Sequence, residues 1–313
     1  MRDIPRRRRW YAPLLAAAIS VHAGLCSAWG DDGHEVVALI AEHYLTPATR
    51  QKVAATLAGA TDSWQTPDIG SASTWADRYR DSDRNGARLR YRQTYRWHFV
   101  NLDLHRPDLK RACFGHPPLN PGQAASRGPG RACIVDKVEQ FRAEWLDPST
   151  DAAERLLALR FLLHLAADMH QPLHASDNDD HGGNQVTVSG PGNIKGSLHR
   201  FWDTGVVRRL GRDPEQLARR LIRNIAADQR RQWQRGNAAA WAADSHALAV
   251  DAVYGGLPAR TGADGAAAGG KPGTYRLPQA YIDRAETVAA LQLSKAGVRL
   301  AGLLEPAVSP GHD

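Results

Sequence analysis

Long apolar runs are missing from this 313-residue chain. Apart from its first residues, no segment approaches the roughly 18 consecutive apolar residues that a membrane-spanning helix needs. Cysteine is scarce, with three in all, and none has the paired spacing of a zinc knuckle. No repeat of fixed period is present, which excludes solenoids and propellers. No shift in composition divides the chain into two domains. Hydrophobic residues make up 42% and charged residues 23%, which excludes a wholly disordered chain.

What stands at the start has the form of an export signal. Arg2 and Arg6 to Arg9 form a positive leader, an apolar stretch runs from Trp10 to Leu25, and Cys26-Ser27-Ala28 supplies small residues for cleavage. Residues 1–28 are therefore expected to be removed, leaving a mature chain of 285 residues that begins at Trp29. Removal changes the charge. The whole chain has 40 basic and 33 acidic side chains, net +7, but the first 28 residues hold five arginines and one aspartate. The mature chain keeps 35 basic and 32 acidic groups, net +3, so more than half of the apparent basicity belongs to the export label. The expected location is periplasmic or secreted, with no stable membrane association after processing.

Cys113 and Cys133 remain, an even count in an exported chain, and are expected to form one disulfide. Closing the Gly- and Pro-rich loop between them stabilises the fold by roughly 3 kcal/mol in the chain-entropy view. The mature chain otherwise reads as helical. Val36, Val37, Leu39, Ile40 and Tyr44 keep a helical period, and Thr46-Pro47 reads as an N-cap and first-turn proline. Ile134 to Trp145, Leu217 to Ile225, Ala238 to Val253 and Tyr281 to Leu304 read as further helices. From Asp151 to about Met169 the leucines are too dense for a surface helix, so that one is expected at the centre. Val186 to Val188 suggests a short strand, and 255–273 reads as a glycine-rich loop.

Thirteen histidines are present, and their spacing to aspartates carries the chemical signal. His164 and Asp168 lie four apart on the central helix, and His199 and Asp203 repeat the spacing. An imidazole and a carboxylate at that interval share one helical face, which suits zinc and equally suits an ordinary hydrogen-bonded pair. Two such pairs with His174 between them favour a metal site. Pro172 turns the chain after the helix, so His174 points elsewhere than His164. His170 falls near the opposite side of the helix and reads as a structural or supporting group.

The segment from His164 to His174 resembles the signature of the zinc-dependent single-strand nucleases of the S-one/P-one type, which belong with the bacterial zinc-dependent phospholipases C. Trp29 to His34, Trp75-Ala-Asp77, Trp97-His98-Phe99, Gly182-Gly183-Asn184, His199 to Asp203 and Lys295 to Ala301 are similar to its other blocks, in the family's order. The resemblance implies an all-α, single mainly helical domain over 29–313, with short strands and three zinc ions. It places Asp77, His98, His164 and Asp168 on the first zinc and His174, His199 and Asp203 on the second. His34, Asp168 and the free amine and carbonyl of Trp29 would hold the third. It further implies hydrolysis of single-stranded DNA and RNA, and of 3′-nucleotides, by a zinc-activated water, giving 5′-phosphorylated products from a monomeric enzyme. Asp77 would orient the water and Arg80 would stabilise phosphoryl charge. Phe99 would stack a base, and Asn101 occupies the position of a base-contacting aspartate. The rival readings are a zinc-dependent phospholipase C and a non-catalytic secreted zinc-binding protein.

Overall fold

The computed structural model describes residues 29–64, 66–258 and 274–306. The expected export segment, with Cys26, and most of the glycine-rich loop lie outside these residues.

The described chain is mostly helical. In order it forms α1 (Gly30–Tyr44), α2 (Pro47–Ala58), α3 (Ile69–Ser73), α4 (Trp75–Asp81), α5 (Leu89–Thr94), α6 (Leu109–Ala112), α7 (Ile134–Leu146) and α8 (Ala152–Asp168). The strands β1 (Thr187–Gly190) and β2 (Ile194–Ser197) follow, then α9 (Leu198–Arg200), α10 (Val206–Leu210), α11 (Pro214–Arg223), α12 (Ala227–Trp233) and α13 (Ala238–Leu248). The strand β3 (Thr274–Arg276) and the long α14 (Gln279–Leu304) close the described chain.

Local chemistry sets the helix starts. Thr46 accepts the Thr49 N–H at 3.2 Å, with Pro47 in the first turn. Asp151 accepts the N–H groups of Ala153 and Glu154 and so opens α8. Every residue from Ala158 to Asp168 is buried, so the helix is enclosed on all sides over that stretch. Phe161 stacks on Phe141 of α7 at 4.7 Å between centroids. α1 and α14 pack against α8 and against each other.

Four fully buried tryptophans tie these layers together, and each indole N–H has an acceptor. Trp29 donates to Ala167 O at 2.9 Å, Trp145 to Leu304 O at 2.9 Å, Trp202 to the Tyr281 hydroxyl at 3.0 Å, and Trp97 to Pro129 O at 3.0 Å. The disulfide forms as expected, with 4.9 Å between the Cα atoms of Cys113 and Cys133. Beneath its loop, buried Lys137 donates to Ala125 O at 2.7 Å and lies 4.0 Å from the Trp97 ring centroid. Burial pushes that ammonium down to about 8.

The expected strand near Val188 belongs to a three-stranded sheet of order β2-β1-β3. β1 and β2 pair antiparallel, with Val188 opposite Gly196, and β3 adds in parallel, with Tyr275 opposite Val188. One expected helix, Ala238 to Val253, and one further segment depart from regular geometry. The stretch after Leu248 widens into a π-helical turn over Ala249–Tyr254, and Phe201–Gly205 does the same after α9.

The contact between α14 and α1 uses a glycine. A Cβ on Gly297 of α14 would lie 2.4 Å from Cγ2 and 2.5 Å from Cβ of Ile40 on α1. Overpacking costs about 1–3 kcal/mol and outweighs the helix-propensity gain of up to about 1 kcal/mol. Gly297→Ala is therefore expected to lower the melting temperature of the metal-loaded protein by about 2–6 °C. An unchanged or higher melting temperature would count against this packing.

Candidate metal centre

The site is assembled at the C-terminal end of α8. Asp168 ends that helix and is fully buried, with His164 one turn earlier on the same face. The His164 Nδ1–H donates to Ser73 O at 2.8 Å, where α3 ends. A carbonyl only accepts, so Nδ1 holds a proton and Nε2 is the atom turned toward the cluster. That Nε2 lies 3.1 Å from Asp168 Oδ2 and 3.5 Å from Asp77 Oδ1. His98, at the end of the 3₁₀ turn Tyr95–His98, brings its Nδ1 to 3.0 Å from His164 Nε2, 2.9 Å from Asp168 Oδ2 and 3.5 Å from Asp77 Oδ1.

The other oxygen of Asp168 faces α1. Its Oδ1 lies 3.3 Å from His34 Nε2, and the His34 ring stacks on His164 at 3.9 Å and 7°. Asp168 thus turns one oxygen to each of two groups of nitrogen ligands, the arrangement of a bridging carboxylate. Trp29, at the head of α1, is buried, and its carbonyl accepts the Gly33 N–H at 3.2 Å.

A third group lies beyond the turn at Pro172. The His174 Nδ1–H donates to His98 O at 2.9 Å and the His199 Nδ1–H to Gly182 O at 2.6 Å. Both Nε2 atoms therefore turn toward Asp203, at 3.7 and 3.2 Å. The β1–β2 hairpin leads straight into α9, where the Ser197 hydroxyl caps the helix that presents His199. Gly182 has φ +61°, and a Cβ there would meet Leu173 O at 2.8 Å. Glycine at this position lets the 182 carbonyl reach the His199 ring.

The donor set fits divalent metal. Three groups of buried ligand atoms, His34–His164–Asp168, Asp77–His98–His164 and His174–His199–Asp203, each lie within 4.8 Å of one another. His34 Nε2, Asp168 Oδ1 and His174 Nε2 have no hydrogen-bond partner among the described residues although buried, a state that costs stability unless a cation meets them. Nitrogen and carboxylate oxygen in this proportion are the ligands of zinc. A further gathering, Cys113–Cys133–Asp136, is excluded because its sulfurs are bonded to each other.

Electrostatics show how tightly these groups are coupled: burial opposes a charged His164, but Asp168 and Asp77 raise its pKa to about 10, holding a proton that a bound cation would displace. Burial disfavours the Asp77 carboxylate, but Arg80, His164 and His98 hold its pKa well below the usual range. Burial likewise opposes ionised Asp168, and the surrounding histidines hold it low. Burial pushes the Asp203 pKa well above the ordinary value; a hydrogen bond from Gln171 opposes this, and the charges of Asp168 and Asp77 reinforce it. Burial pushes His98 down to about 4 and His199 to about 3, keeping both as neutral imidazoles, the ligating form.

All eight side chains expected as ligands converge here. Arg80 is buried beside them, with one nitrogen 2.5 Å from Asp77 Oδ1 and another 2.7 Å from Asp81 Oδ2. Phe99 and Asn101 line the cleft that opens over the cluster, a cavity of about 290 Å³ shared with His98, His174 and His199. His170 stands outside the ligand groups. It bonds Ala166 O through Nδ1 and receives Arg299 on Nε2 at 2.9 Å, joining α14 to the end of α8. One supporting residue escaped sequence reading. Gln171 donates to Asp203 Oδ1 at 2.5 Å and accepts the Leu173 N–H, so it fixes a ligand and the turn together.

A helical fold whose core closes around buried His and Asp side chains gathered in this way is that of a metal-binding protein. The profile described as S1/P1 Nuclease matches residues 29–309, and the chain belongs to that family. It is 28% identical to Nuclease P1 of Penicillium citrinum over 293 residues, covering 87% of this chain and 95% of that one. It is 26% identical to Nuclease S1 of Aspergillus oryzae over 312 residues, covering 94% and 96%. With Endonuclease 2 of Arabidopsis thaliana it shares 28% over 235 residues, 71% of each chain.

Proposed function

We propose that this chain is an exported, trinuclear-zinc phosphodiesterase that hydrolyses single-stranded DNA and RNA to 5′-phosphorylated products and acts on 3′-nucleotides. The observation that carries the proposal is the convergence of eight buried His and Asp side chains at the floor of one cleft, in a chain of the S1/P1 nuclease family.

In this reading Asp77, His98, His164 and Asp168 hold the first zinc, and His174, His199 and Asp203 the second. His34, Asp168 and the amine and carbonyl of Trp29 hold the third. Zinc bound there supplies Lewis acidity toward phosphate oxygens and brings the pKa of a coordinated water from about 15.7 to about 7. The chain supplies the rest. Asp77 accepts the proton of the attacking water and orients it in line with phosphorus. Arg80 positions Asp77 and sets a permanent positive charge beside the developing phosphoryl charge. Ser73 O, His98 O and Gly182 O fix the imidazole tautomers, so no ligand has to reorganise. Phe99 stacks the neighbouring base, and Asn101 meets its polar edge.

Single strands are preferred for a geometric reason. The ligands are recessed, so a phosphodiester must enter while its base swings aside, which a duplex permits only at the cost of unstacking. Export is supported by the arginine-rich, apolar first 28 residues and by a family match that begins at Trp29. Among the described residues no helix is long and apolar enough to cross a membrane.

The purified processed protein is expected to cleave single-stranded DNA and RNA well, duplex DNA poorly and phosphatidylcholine not at all. Preferential cleavage of phosphatidylcholine would move the protein to the phospholipase branch. Asp77→Asn is expected to lower kcat on single strands at least about 100-fold, since even outer partners of zinc ligands cost 10–100-fold. Full activity in that variant would remove Asp77 from its role.

The third zinc site makes a separate demand. A peptide nitrogen is a poor zinc ligand and a free amine a good one, so signal removal completes the site. A protein carrying a few residues ahead of Trp29 is expected to bind one zinc fewer and to lose most activity. Retention of three tightly held zincs and full turnover would overturn the Trp29 assignment.

A further inference from the structure

Tyr91, Tyr95 and Phe99 follow one another at four-residue intervals, from α5 into the turn that carries His98. The backbone passes from α5 through the 3₁₀ turn to extended Phe99, so packing rather than a helical period aligns the three side chains. Their rings form a continuous column. Tyr91 stacks on Tyr95 with 5.1 Å between centroids, and Tyr95 meets Phe99 edge to face at 5.2 Å. All three rings line the cleft that holds His98, His174 and His199. The column begins beside a metal ligand and ends in positive charge: the guanidinium groups of Arg84 and Arg88 lie 5.2 and 5.0 Å from the centroid of Tyr91. Tyr95, in the middle, is 43% exposed.

The chemistry at the metal centre needs at most the innermost ring, Phe99. The two tyrosines lead away from it, and the arginines stand where the column ends. Aromatic rings in series beside cations are the elements with which proteins follow a single strand: bases lie on rings, phosphates meet cations, and base identity matters little. The Tyr91 and Phe99 centroids are at most about 10 Å apart. Three fully stacked bases span about 7 Å at ~3.4 Å per step, so a single strand loosened from full stacking matches the three rings.

We propose that Tyr91 and Tyr95, with Arg84 and Arg88, form a strand-binding track that extends the catalytic cleft by two nucleotides beyond the base held at Phe99. Bases of a single strand lie along the cleft-facing flank of the column, and the phosphates between them face the two arginines. The inference rests on the single-strand nuclease reading of the same cleft. It adds that the enzyme is tuned to polymers and that its efficiency rises with strand length.

The test is kcat/KM measured on unlabelled strands of two, three, four and five nucleotides. Tyr91 and Tyr95 turn their faces to one another and their edges to the cleft, so each base gains less than the roughly 5- to 150-fold of full stacking on an aromatic face. For the wild-type protein, a rise of at least about tenfold is expected from two to five nucleotides, carried mainly by KM. Tyr91→Ala/Tyr95→Ala is expected to flatten that rise, and Tyr91→Phe/Tyr95→Phe to keep it, since the rings rather than their hydroxyls make the contact. If the double alanine variant does not fold, exposed Arg88→Gln gives the reading instead. Loss of one phosphate contact is expected to reduce the slope of log KM against log salt by about 0.7 for long strands, and an unchanged slope would overturn the track. A wild-type protein that cleaves dinucleotides and pentanucleotides equally well, or a double alanine variant that keeps the length dependence, sinks the track alone. A wild-type protein that cleaves no single strand sinks both the track and the nuclease reading beneath it.

Discussion

One buried carboxylate organises the molecule. Asp168 has no exposure to solvent, and three imidazoles point at its two oxygens. An isolated charge in such a place is very costly, so it must be met by other charge. The fold brings that charge from separate parts of the chain. α1 delivers His34, the turn after α5 delivers His98, and α8 itself provides His164 one turn away. Asp77 of α4 faces the same pair of histidines. The carbonyls of residues 73, 98 and 182 then fix the ring nitrogens that point away from the cluster. Mainly helical packing serves this end because α8, enclosed from Ala158 onward, holds His164 and Asp168 at a fixed rise while neighbouring helices approach from several directions.

Much of this was legible from residue spacing. The leucine density of α8 marked a central helix, Thr46-Pro47 marked the start of α2, and the repeated four-residue interval of His164–Asp168 and His199–Asp203 marked metal chemistry. What stayed hidden has physical causes. β3 is three residues long with exposed ends, and its parallel pairing to β1 bridges most of a hundred residues, so nothing local announces it. The short helices between 69 and 94 carry too few apolar positions to show a period. Gln171 is a polar residue in a proline turn, and its role depends on Asp203, which lies 32 residues away. The widened turn at Phe201–Gly205 changes the geometry behind the second interval without changing the interval itself.

The charge of the sequence also changes meaning in three dimensions. A net +7 falls to +3 once the leader is discounted, which is too little to direct a polyanion to one place. The cleft provides direction by other means: buried ligands that demand cations at its floor, and rings with flanking arginines along one wall. In the proposed function, metal binding and strand binding meet at the segment from Tyr91 to Asn101, where His98 faces the cluster and its aromatic neighbours line the cleft.

The central claim is that Asp168 bridges two metals and that a third is held apart from it by His174, His199 and Asp203. Metal content per folded chain, measured for the processed protein and for Asp168→Asn after removal of loosely bound ions, tests this most directly. Three zincs are expected in the wild type and one in the variant. A variant that keeps all three, or a wild-type protein that holds one or none, would contradict the account.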